Sequence, residues 1–239
     1  MDERPNLRAD TDDFEFAALQ QARNYRQALF DEFGGELRGD VIEAGAGIGQ
    51  MTEQLAKIPA VRKIMAVEPD AGFCAQHRQR LPGHDLIEGT VADLPAGSAW
   101  DAVLSINVLE HIQEDEAELK RYARLLGERR GCLCLFVPAR PEIYAPIDKD
   151  FGHFRRYTAP ELRSKLLAAG FKIERLHYFN SLGYFAWWLN FCLLKKRGFE
   201  PAKVRLYDRF IFPVVHALER KALRPPFGQS LLAVGRAGA

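Results

Sequence analysis

The chain has 239 residues, of which 47% are apolar and 27% charged, values ordinary for a soluble globular protein. This length allows a full-sized hydrophobic core and excludes extensive disorder. With 33 basic and 32 acidic residues, the net charge of +1 gives no overall field that would attract nucleic acid. The balance is uneven along the chain. Nine acids and four bases lie within residues 1–36, whereas nine bases and three acids lie within 195–224.

The four cysteines are too few and too scattered for a disulfide framework. Cys132 and Cys134 are two residues apart in an apolar run, so they share a strand face and are predicted to be small core residues. We therefore expect no metal site. The first residues lack the basic and apolar regions of a signal peptide, which predicts a reducing, cytoplasmic location.

The apolar pattern predicts alternating helices and strands. A helix is predicted over 14–33, within an N-terminal segment of residues 1–36. Strands are predicted at 40–44, 63–67, 85–88, 101–106, 131–137, 171–178 and 230–235, and further helices at about 49–58, 70–80, 114–127 and 158–169. One helix start is well marked, because Thr158-Ala-Pro-Glu161 has the pattern of a capping box.

This alternation predicts an α/β fold, a doubly wound, Rossmann-like, seven-stranded and mostly parallel sheet. We expect one domain over 1–239, divided into the N-terminal segment, a core, a cap and a last strand. The core is 37–179, the helical cap inserted before the last strand is 180–228, and the strand itself lies in 229–239.

A glycine-rich turn, Glu43-Ala-Gly45-Ala46-Gly47-Ile-Gly49, directly follows the first predicted strand. Glycines at such a turn let a ligand approach the backbone closely. Gln50 stands where the dinucleotide fingerprint needs a small residue, which disfavours a nucleotide-dependent oxidoreductase. An acid at position 43 would repel pyrophosphate and suits a positively charged ligand. Glu68, at the end of the second strand, is placed to accept hydrogen bonds from ribose hydroxyls, so the two acids imply a nucleoside without pyrophosphate.

These residues resemble the motifs of class I S-adenosylmethionine-dependent methyltransferases. VIEAGAGIG is similar to their first motif, AVEP to the second, GTVADLP (89–95) to the adenine-side segment and WDAVLSINVLEH (100–111) to the fourth-strand motif. The resemblance implies S-adenosylmethionine as cofactor and S-adenosylhomocysteine as product. It assigns cofactor contacts to Glu43, Gly45, Ala46, Gly47, Gly49, Glu68, Pro69, Thr90, Val91, Asn107 and Val108.

Two cofactor contacts are left open. The family often has an acid where this chain has Thr90, and Asp93 suits either that adenine contact or a turn. Tyr25 and Arg26 lie on the helix before the first strand, where a side chain can reach over the carboxylate of the cofactor. We include Tyr25 among the cofactor-binding residues, although residues of an amphipathic helix are more often surface or staple residues.

His111 and His153 are the candidate general bases, because histidine titrates near neutrality and both follow predicted strands. His153 lies in GHFRRYT, a run that also resembles a motif of a bacterial methyltransferase subgroup. Arg155, Arg156 and Tyr157 of this run are predicted to bind an anionic or polar group of the substrate. The alternatives are a histidine that only packs near its turn, for His111, and a buried Arg–Asp network that uses Asp148 and Asp150 to fix the loop.

The cap contains an apolar run, 182–194, followed at once by Lys195-Lys196-Arg197. As a helix the run would be about 20 Å long, short of the ~30 Å core of a bilayer. It either lines a hydrophobic substrate pocket, with Trp187 as a substrate contact, or meets a membrane interface with Trp187 and Trp188 at the boundary. The second alternative would place the protein at the inner face of the membrane.

The sequence therefore predicts a methyltransferase that acts on an oxygen or nitrogen of a small or lipid-like acceptor. A nucleic-acid methyltransferase is disfavoured because Asn107-Val-Leu-Glu replaces the motif that those enzymes often carry. The alternative is a non-catalytic S-adenosylmethionine-binding module or a membrane-associated subunit.

Overall fold

Seven strands form one sheet in the computed structural model, which describes residues 22–198, 200–221 and 224–238. In chain order the strands are β1 (Gly39–Ala44), β2 (Val61–Glu68), β3 (Asp85–Glu88), β4 (Ala102–Ile106), β5 (Cys132–Pro138), β6 (Phe171–Phe179) and β7 (Ser230–Ala237). The order across the sheet is β3-β2-β1-β4-β5-β7-β6, and β7 runs antiparallel to both of its neighbours. The predicted mostly parallel, seven-stranded sheet is confirmed.

Helices alternate with the strands as predicted. They are α1 (Arg23–Phe33), α2 (Gln50–Leu55), α3 (Ala71–Arg80), α4 (Asp115–Gly127), α5 (Pro146–Asp150), α6 (Ala159–Ala168), α7 (Ser181–Trp187), α8 (Pro201–Leu206) and α9 (Phe212–Lys221). A π-helix, Trp188–Leu193, extends α7, and a second, Tyr207–Ile211, joins α8 to α9. The Thr158 hydroxyl accepts from the Glu161 N–H, which confirms the capping box. Residues 14–21 of the predicted first helix lie outside the described residues.

The central strand β5 shows why the sheet is buried on both faces. Leu133, Leu135 and Val137 pack into one apolar cluster, while Cys132, Cys134 and Phe136 pack into the cluster on the opposite face. Side chains of a strand alternate between faces, so an uninterrupted apolar run serves two cores at once. Both cysteines are free and buried as predicted, and burial raises the pKa of the Cys134 thiol.

The order of the strands reverses at β1, which lies between β2 and β4. Crossovers on the two sides of this point lie on opposite faces of the sheet and leave a crevice at the carboxyl ends of the strands. The end of β5 and the start of β7 also meet at this edge, since Pro138 pairs with Ser230. The candidate site residues lie along it.

The helices of the insertion, α7 to α9 with their π-helical segments, are held by two carboxylates, the buried Asp208 and the half-buried Glu219. Asp208 accepts hydrogen bonds from the backbone N–H groups of Asn24 (3.0 Å) and Tyr25 (2.9 Å), at the start of α1. Glu219 accepts from the N–H groups of Asn180 (3.2 Å) and Ser181 (2.7 Å), at the start of α7. Unpaired N–H groups at a helix start need such acceptors, so the insertion is fixed to the first helix and to the end of β6. The described helices of the cap lie within residues 181–198 and 200–221.

Candidate active site

The glycine-rich turn after β1 is packed directly against the loop after β4. Gly45 has a φ of +70°, and a Cβ at this position would lie 2.4 Å from Val108 Cγ2. Its N–H donates to the Val67 carbonyl (2.8 Å), which ties the turn to β2. Glycine is therefore required by both conformation and space, and the close approach holds Val108 over the turn.

Glu68 connects the end of β2 to the same turn. Its carboxylate accepts from the Gly47 N–H (2.8 Å) through one oxygen and from the Asp70 N–H (2.9 Å) through the other. The side chain is buried at the sheet edge, while the following Pro69 is exposed at the start of α3. Both carboxylate oxygens thus face polar backbone at the crevice.

Glu43 is buried beneath the glycine turn in a chain of polar groups. The Thr52 hydroxyl donates to the Glu43 carboxylate and lies 3.0 Å from His77 Nε2. Burial, with a smaller contribution from the charge of Glu68, raises the pKa of Glu43 to about 8. Burial also lowers the pKa of His77. The carboxyl group is therefore largely protonated at neutral pH unless a cation approaches it.

Thr90 and Asp93 form a local turn. The Thr90 N–H donates to Asp93 Oδ2 (2.7 Å), and the Ala92 N–H donates to the Thr90 hydroxyl (3.3 Å). The hydrogen bonds from Thr90 lower the pKa of Asp93. Of the two roles left open for Asp93, the structure shows the turn. The neighbouring Val91 is buried.

Arg26, rather than Tyr25, lies beside the glycine turn. Its guanidinium donates to the Gln50 side chain (3.3 Å) at the start of α2, and burial lowers its pKa. The Tyr25 ring instead packs edge-on against Phe179, with ring centroids 5.3 Å apart, beneath the cap. The helix turns the Tyr25 side chain toward a cavity that Asn107, after β4, also lines, and its contact with the cofactor stays a prediction.

That cavity, of about 420 Å³, lies between the sheet edge and the cap. Asn107, Pro138 and Ser230 contribute from the sheet edge, and Asn107 has a φ of +52° immediately after β4. Further lining residues are Tyr25, Glu110, Phe151, His153, Arg156, Asn180, Trp187, Phe191, Val204 and Tyr207. Of the residues predicted for catalysis and substrate, His153, Arg156 and Trp187 line this cavity.

His153 is held in one orientation by a buried carboxylate. Its Nδ1 lies 3.0 Å from Asp148 Oδ1, and Asp148 also accepts from the Ala145 N–H (2.8 Å) and from Arg156 Nε (2.8 Å). Burial raises the pKa of Asp148, but hydrogen bonds from His153 and the charge of Arg156 outweigh this, and the pKa lies below its ordinary value. With Nδ1–H donating to Asp148, Nε2 is the nitrogen on the Glu110 side, 4.0 Å from Glu110 Oε1.

The loop network continues into the cap. The Arg156 guanidinium lies 4.3 Å from the centroid of the Trp187 ring, and Trp187 Nε1 donates to the Ile143 carbonyl (3.1 Å). Asp150 pairs with Arg197 of the cap (2.6 Å) instead of joining Asp148. The loop is thus fixed by an Arg–Asp network, as one alternative supposed, and the same network presents His153 to the cavity.

Arg155 and Tyr157 are not among the residues that line the cavity, and their contact with substrate stays a prediction. Arg155 pairs with Asp115 (2.8 Å), and the Tyr157 hydroxyl donates to the same carboxylate (2.9 Å) on the α4 side of the loop. Burial, and next the charge of Asp115, raise the pKa of Tyr157. His111 is not among the residues that line the cavity. Its ring packs edge-on against that of His153, with centroids 4.7 Å apart.

Several residues at the site were not predicted. Glu110 is fully buried yet lines the cavity, and Asn180 lines it with a φ of +61° between β6 and α7. The Tyr207 hydroxyl donates to Asn180 Oδ1 (2.6 Å). An asparagine before a helix is a recognisable capping residue, but its place at a cavity is not visible in sequence. The side chains of Glu110, His111 and His153 also bring their ligand atoms within 4.8 Å of one another, a spacing that can hold a metal ion.

Comparison with known proteins gives a family match over the part of the chain that runs from β1 into β5. Residues 42–134 match the family model described as a methyltransferase domain. A probable S-adenosylmethionine-dependent methyltransferase of Mycobacterium tuberculosis is 33% identical over 137 residues, which are 55% of this chain and 48% of that protein. A trans-aconitate 2-methyltransferase of Rhodopseudomonas palustris is 34% identical over 87 residues, 36% of this chain and 33% of its own length.

Among solved structures, the DhpI–SAH complex has a TM-score of 0.59 at 17% identity, covering 97% of this chain and 93% of that one. This likeness concerns the fold. The chain spans about half the length, or less, of the curated relatives it matches.

The neighbouring Arg155 and Arg156 provide a test of the loop network. We expect Arg156→Ala to lower the free energy of unfolding by about 3–5 kcal/mol, because it leaves the buried Asp148 without its cation. Arg155→Ala is the matched control and should cost at most about 1 kcal/mol, since its side chain is partly exposed and Asp115 keeps Lys165. Urea denaturation measures both, and equal losses would contradict the assignment of Asp148 as the centre of the network.

Proposed function

Because the chain carries a class I S-adenosylmethionine-dependent methyltransferase domain, we propose that it transfers a methyl group from S-adenosylmethionine to an oxygen or nitrogen of a small or lipid-like acceptor. The observation that carries this proposal is the cavity itself. It lies beneath the cap beside the end of β4, and His153, oriented by Asp148, lines it. The acceptor would occupy this cavity and the cofactor the crevice over the glycine turn.

The crevice has features that suit the cofactor. The turn at Gly45 has no room for a Cβ, and the buried Glu43 gains most from a nearby cation such as the methionine ammonium group. Glu68 lies at the end of β2, where ribose hydroxyls would bind in exchange for its backbone partners. The remaining cofactor contacts in the proposal are Ala46, Gly47, Gly49, Pro69, Thr90, Val91, Asn107 and Val108.

When bound, S-adenosylmethionine supplies a methyl group already activated by the sulfonium charge. The work left to the chain is to align the acceptor, exclude water and take up a proton. Phe151, below the cap, and Trp187 and Phe191, on its inner face, are buried apolar residues that line the cavity, and they would help to exclude water.

The proton of a hydroxyl or amine acceptor would pass to His153 Nε2. Asp148 holds the opposite ring nitrogen and stabilises the imidazolium that results, as a buried carboxylate does for a catalytic histidine elsewhere. The carboxyl of Glu110 lies on the same side of the ring, with Oε1 4.0 Å from Nε2. This arrangement favours catalysis over the non-catalytic binding module, which has no use for an oriented base.

The acceptor that fits best is largely apolar with a polar end. Val204, Trp187 and Phe191 line the cavity from the cap, while Asn180 and Tyr207 offer polar groups to the same space. Such a cavity suits a phenol-like or lipid-like molecule that presents one hydroxyl or amine to His153.

Cofactor binding is tested first on Glu68 and Glu88, which face each other across the paired ends of β2 and β3. We expect Glu68→Ala to weaken S-adenosylhomocysteine binding at least about tenfold, because a carboxylate that accepts hydrogen bonds is worth roughly 1.5–3 kcal/mol. Glu88→Ala, the matched control, removes an exposed carboxylate paired with Arg78 and should change little. The measurement is calorimetric titration, with NADH as a negative ligand, and no binding to the folded wild type would refute the proposal.

Glu43 predicts a proton linkage to binding. Its pKa of about 8 means that it is mostly protonated at pH 7, and an approaching ammonium group lowers that pKa, so the protein releases a proton on binding. The observed binding enthalpy should therefore fall as the ionisation enthalpy of the buffer rises, and affinity should increase from pH 6 toward 8. Glu43→Gln should abolish both dependences; an unchanged proton release in this variant would place the linkage elsewhere.

The role of His153 is tested by turnover with the acceptors that a panel of apolar phenols and lipids identifies. We expect His153→Ala to lower kcat by about 10²–10⁴ while S-adenosylhomocysteine affinity is retained, with a smaller loss for His111→Ala. Turnover should survive EDTA. Equal losses in both variants together with inhibition by EDTA would instead assign a metal ion to the cluster of Glu110, His111 and His153. Cofactor binding without turnover on any acceptor would favour the binding-module alternative.

A further inference from the structure

The cap helices are apolar on two opposite faces. The inner face of α7 and its π-helical extension carries Trp187 and Phe191, which are buried against the loop after β5. The outer face exposes other large apolar side chains of the same helices. These are Leu182, Phe185, Trp188, Leu189, Leu193 and Leu194 on α7, its π-helical extension and the residue after it, and Phe210, Val214 and Leu218 on the segment from the second π-helix through α9; together we call them the outer apolar face.

The spacing of the second group shows a continuous stripe. Phe210, Val214 and Leu218 follow one another at intervals of four residues, and each is 59–61% exposed. Residues four apart lie on one side of a helix, so the stripe runs from the second π-helix along α9. Leu206, four residues before Phe210, is 57% exposed and also lines the cavity. Of the 14 large apolar side chains exposed in the described residues, 11 belong to the cap. A concentration of this kind on a protein surface marks an interaction site.

Basic side chains lie within or beside this face, while two of the three acids of the same segment are turned inward. Lys195, Arg197, Arg209, Arg220 and Lys221 are exposed there. Arg197 pairs with Asp150 (2.6 Å) and Arg220 with Glu32 (3.4 Å), which leaves Lys195, Arg209 and Lys221 as the bases that form no ion pair within the described part of the chain. Of the three acids in residues 195–224, Asp208 is buried against the start of α1 and Glu219 is bonded to the start of α7. Glu200 is the exposed one, and it pairs with Lys196 and Lys203. The surface therefore combines apolar area with a positive charge.

We propose that the outer apolar face binds the surface of an anionic lipid bilayer. Apolar side chains would enter the headgroup boundary while the surrounding lysines and arginines contact lipid phosphates, the pattern of an amphipathic helix lying in an interface. A second copy of the chain is the less favoured occupant, because a symmetric contact would bring two positive surfaces together. Within the described ranges no helix is long and apolar enough to cross a bilayer, so the contact lies in the membrane plane.

This inference rests on the proposed function and narrows its acceptor. The helices that carry the outer apolar face line the cavity with their other side, through Trp187, Val204 and Tyr207. A lipid-like acceptor dissolved in the bilayer would thus be separated from His153 by one layer of helix. The class of acceptor implied is a membrane lipid or lipid-linked molecule that carries a hydroxyl or amine near the headgroup region.

The test is flotation of the full chain with vesicles of phosphatidylcholine alone and vesicles that also contain phosphatidylglycerol. We expect binding to the anionic vesicles, weakened about tenfold or more by added salt, since each basic residue near the surface contributes on the order of 1 kcal/mol. Trp188 is a built-in reporter, because it is 46% exposed while Trp100 and Trp187 are buried. Its emission should shift to the blue on binding, and Trp188→Phe should remove the shift.

Phe210→Ser combined with Leu218→Ser should reduce vesicle binding about tenfold or more. The matched control is Leu167→Ser, on α6, where an apolar side chain of similar exposure (55%) lies outside the cap. Unchanged vesicle binding in the double variant, equal binding to both vesicle types, or a dimer dissociated by the double variant in the absence of vesicle binding would overturn the inference.

S-adenosylhomocysteine titration of the same proteins separates the two proposals. Cofactor binding without vesicle binding removes the membrane inference alone. Vesicle binding without cofactor binding removes the proposed function and leaves the surface assignment in place.

Discussion

The proposed acceptor half of the site depends on the buried carboxylate of Asp148. It accepts hydrogen bonds from the Ala145 N–H, from His153 and from Arg156, and no part of it reaches solvent. Arg156 in turn lies against the Trp187 ring. The Asp148 carboxylate that orients His153 therefore also positions, through Arg156, the cap residue Trp187. A carboxylate buried without these partners would be strongly unfavourable. The loop after β5 and the cap are therefore expected to become ordered together, and the orientation of the base follows from the folding of its surroundings.

In the proposed cofactor half, two acids on neighbouring strands, Glu43 and Glu68, have different surroundings and therefore different properties. Glu68 accepts two backbone N–H groups, which satisfy a charged carboxylate, whereas Glu43 has a hydroxyl partner and full burial, which raises its pKa. One acid is therefore suited to hydrogen bonds with uncharged hydroxyls and the other to a cation. The two acids differ in their neighbours at the strand ends. Glu43 contacts the Thr52 hydroxyl, whereas Glu68 contacts the backbone of the glycine-rich turn.

Periodic segments allowed the fold to be predicted from sequence, and irregular ones did not yield the site. The uninterrupted run of β5 and the capping box at Thr158 act locally, so the strands and helices follow from them. Arg155 and Arg156 are adjacent in a loop without a repeating pattern, and only Asp115 and Asp148, on different elements, decide which one faces the cavity. Tyr25 and Arg26 differ for a related reason, since the start of α1 is fixed by Asp208, 184 residues from Asn24 in sequence. Long-range contacts of this kind leave no local pattern.

The fold alone does not explain why the cap exposes so many large apolar side chains. A helix covering a cavity needs one apolar face, and Trp187 with Phe191 supplies it. The stripe from Phe210 to Leu218 adds nothing to that core, and its exposure lowers solubility. Two of the three acids of the segment, Asp208 and Glu219, are used as internal hydrogen-bond acceptors, so its exposed charge is mostly basic. The exposed apolar stripe and the basic outer charge are both explained if the cap lies between an apolar acceptor in the cavity and a lipid bilayer from which that acceptor comes. In that arrangement the two faces serve one reaction, because the layer that shields His153 from water also adjoins the phase in which the acceptor is dissolved.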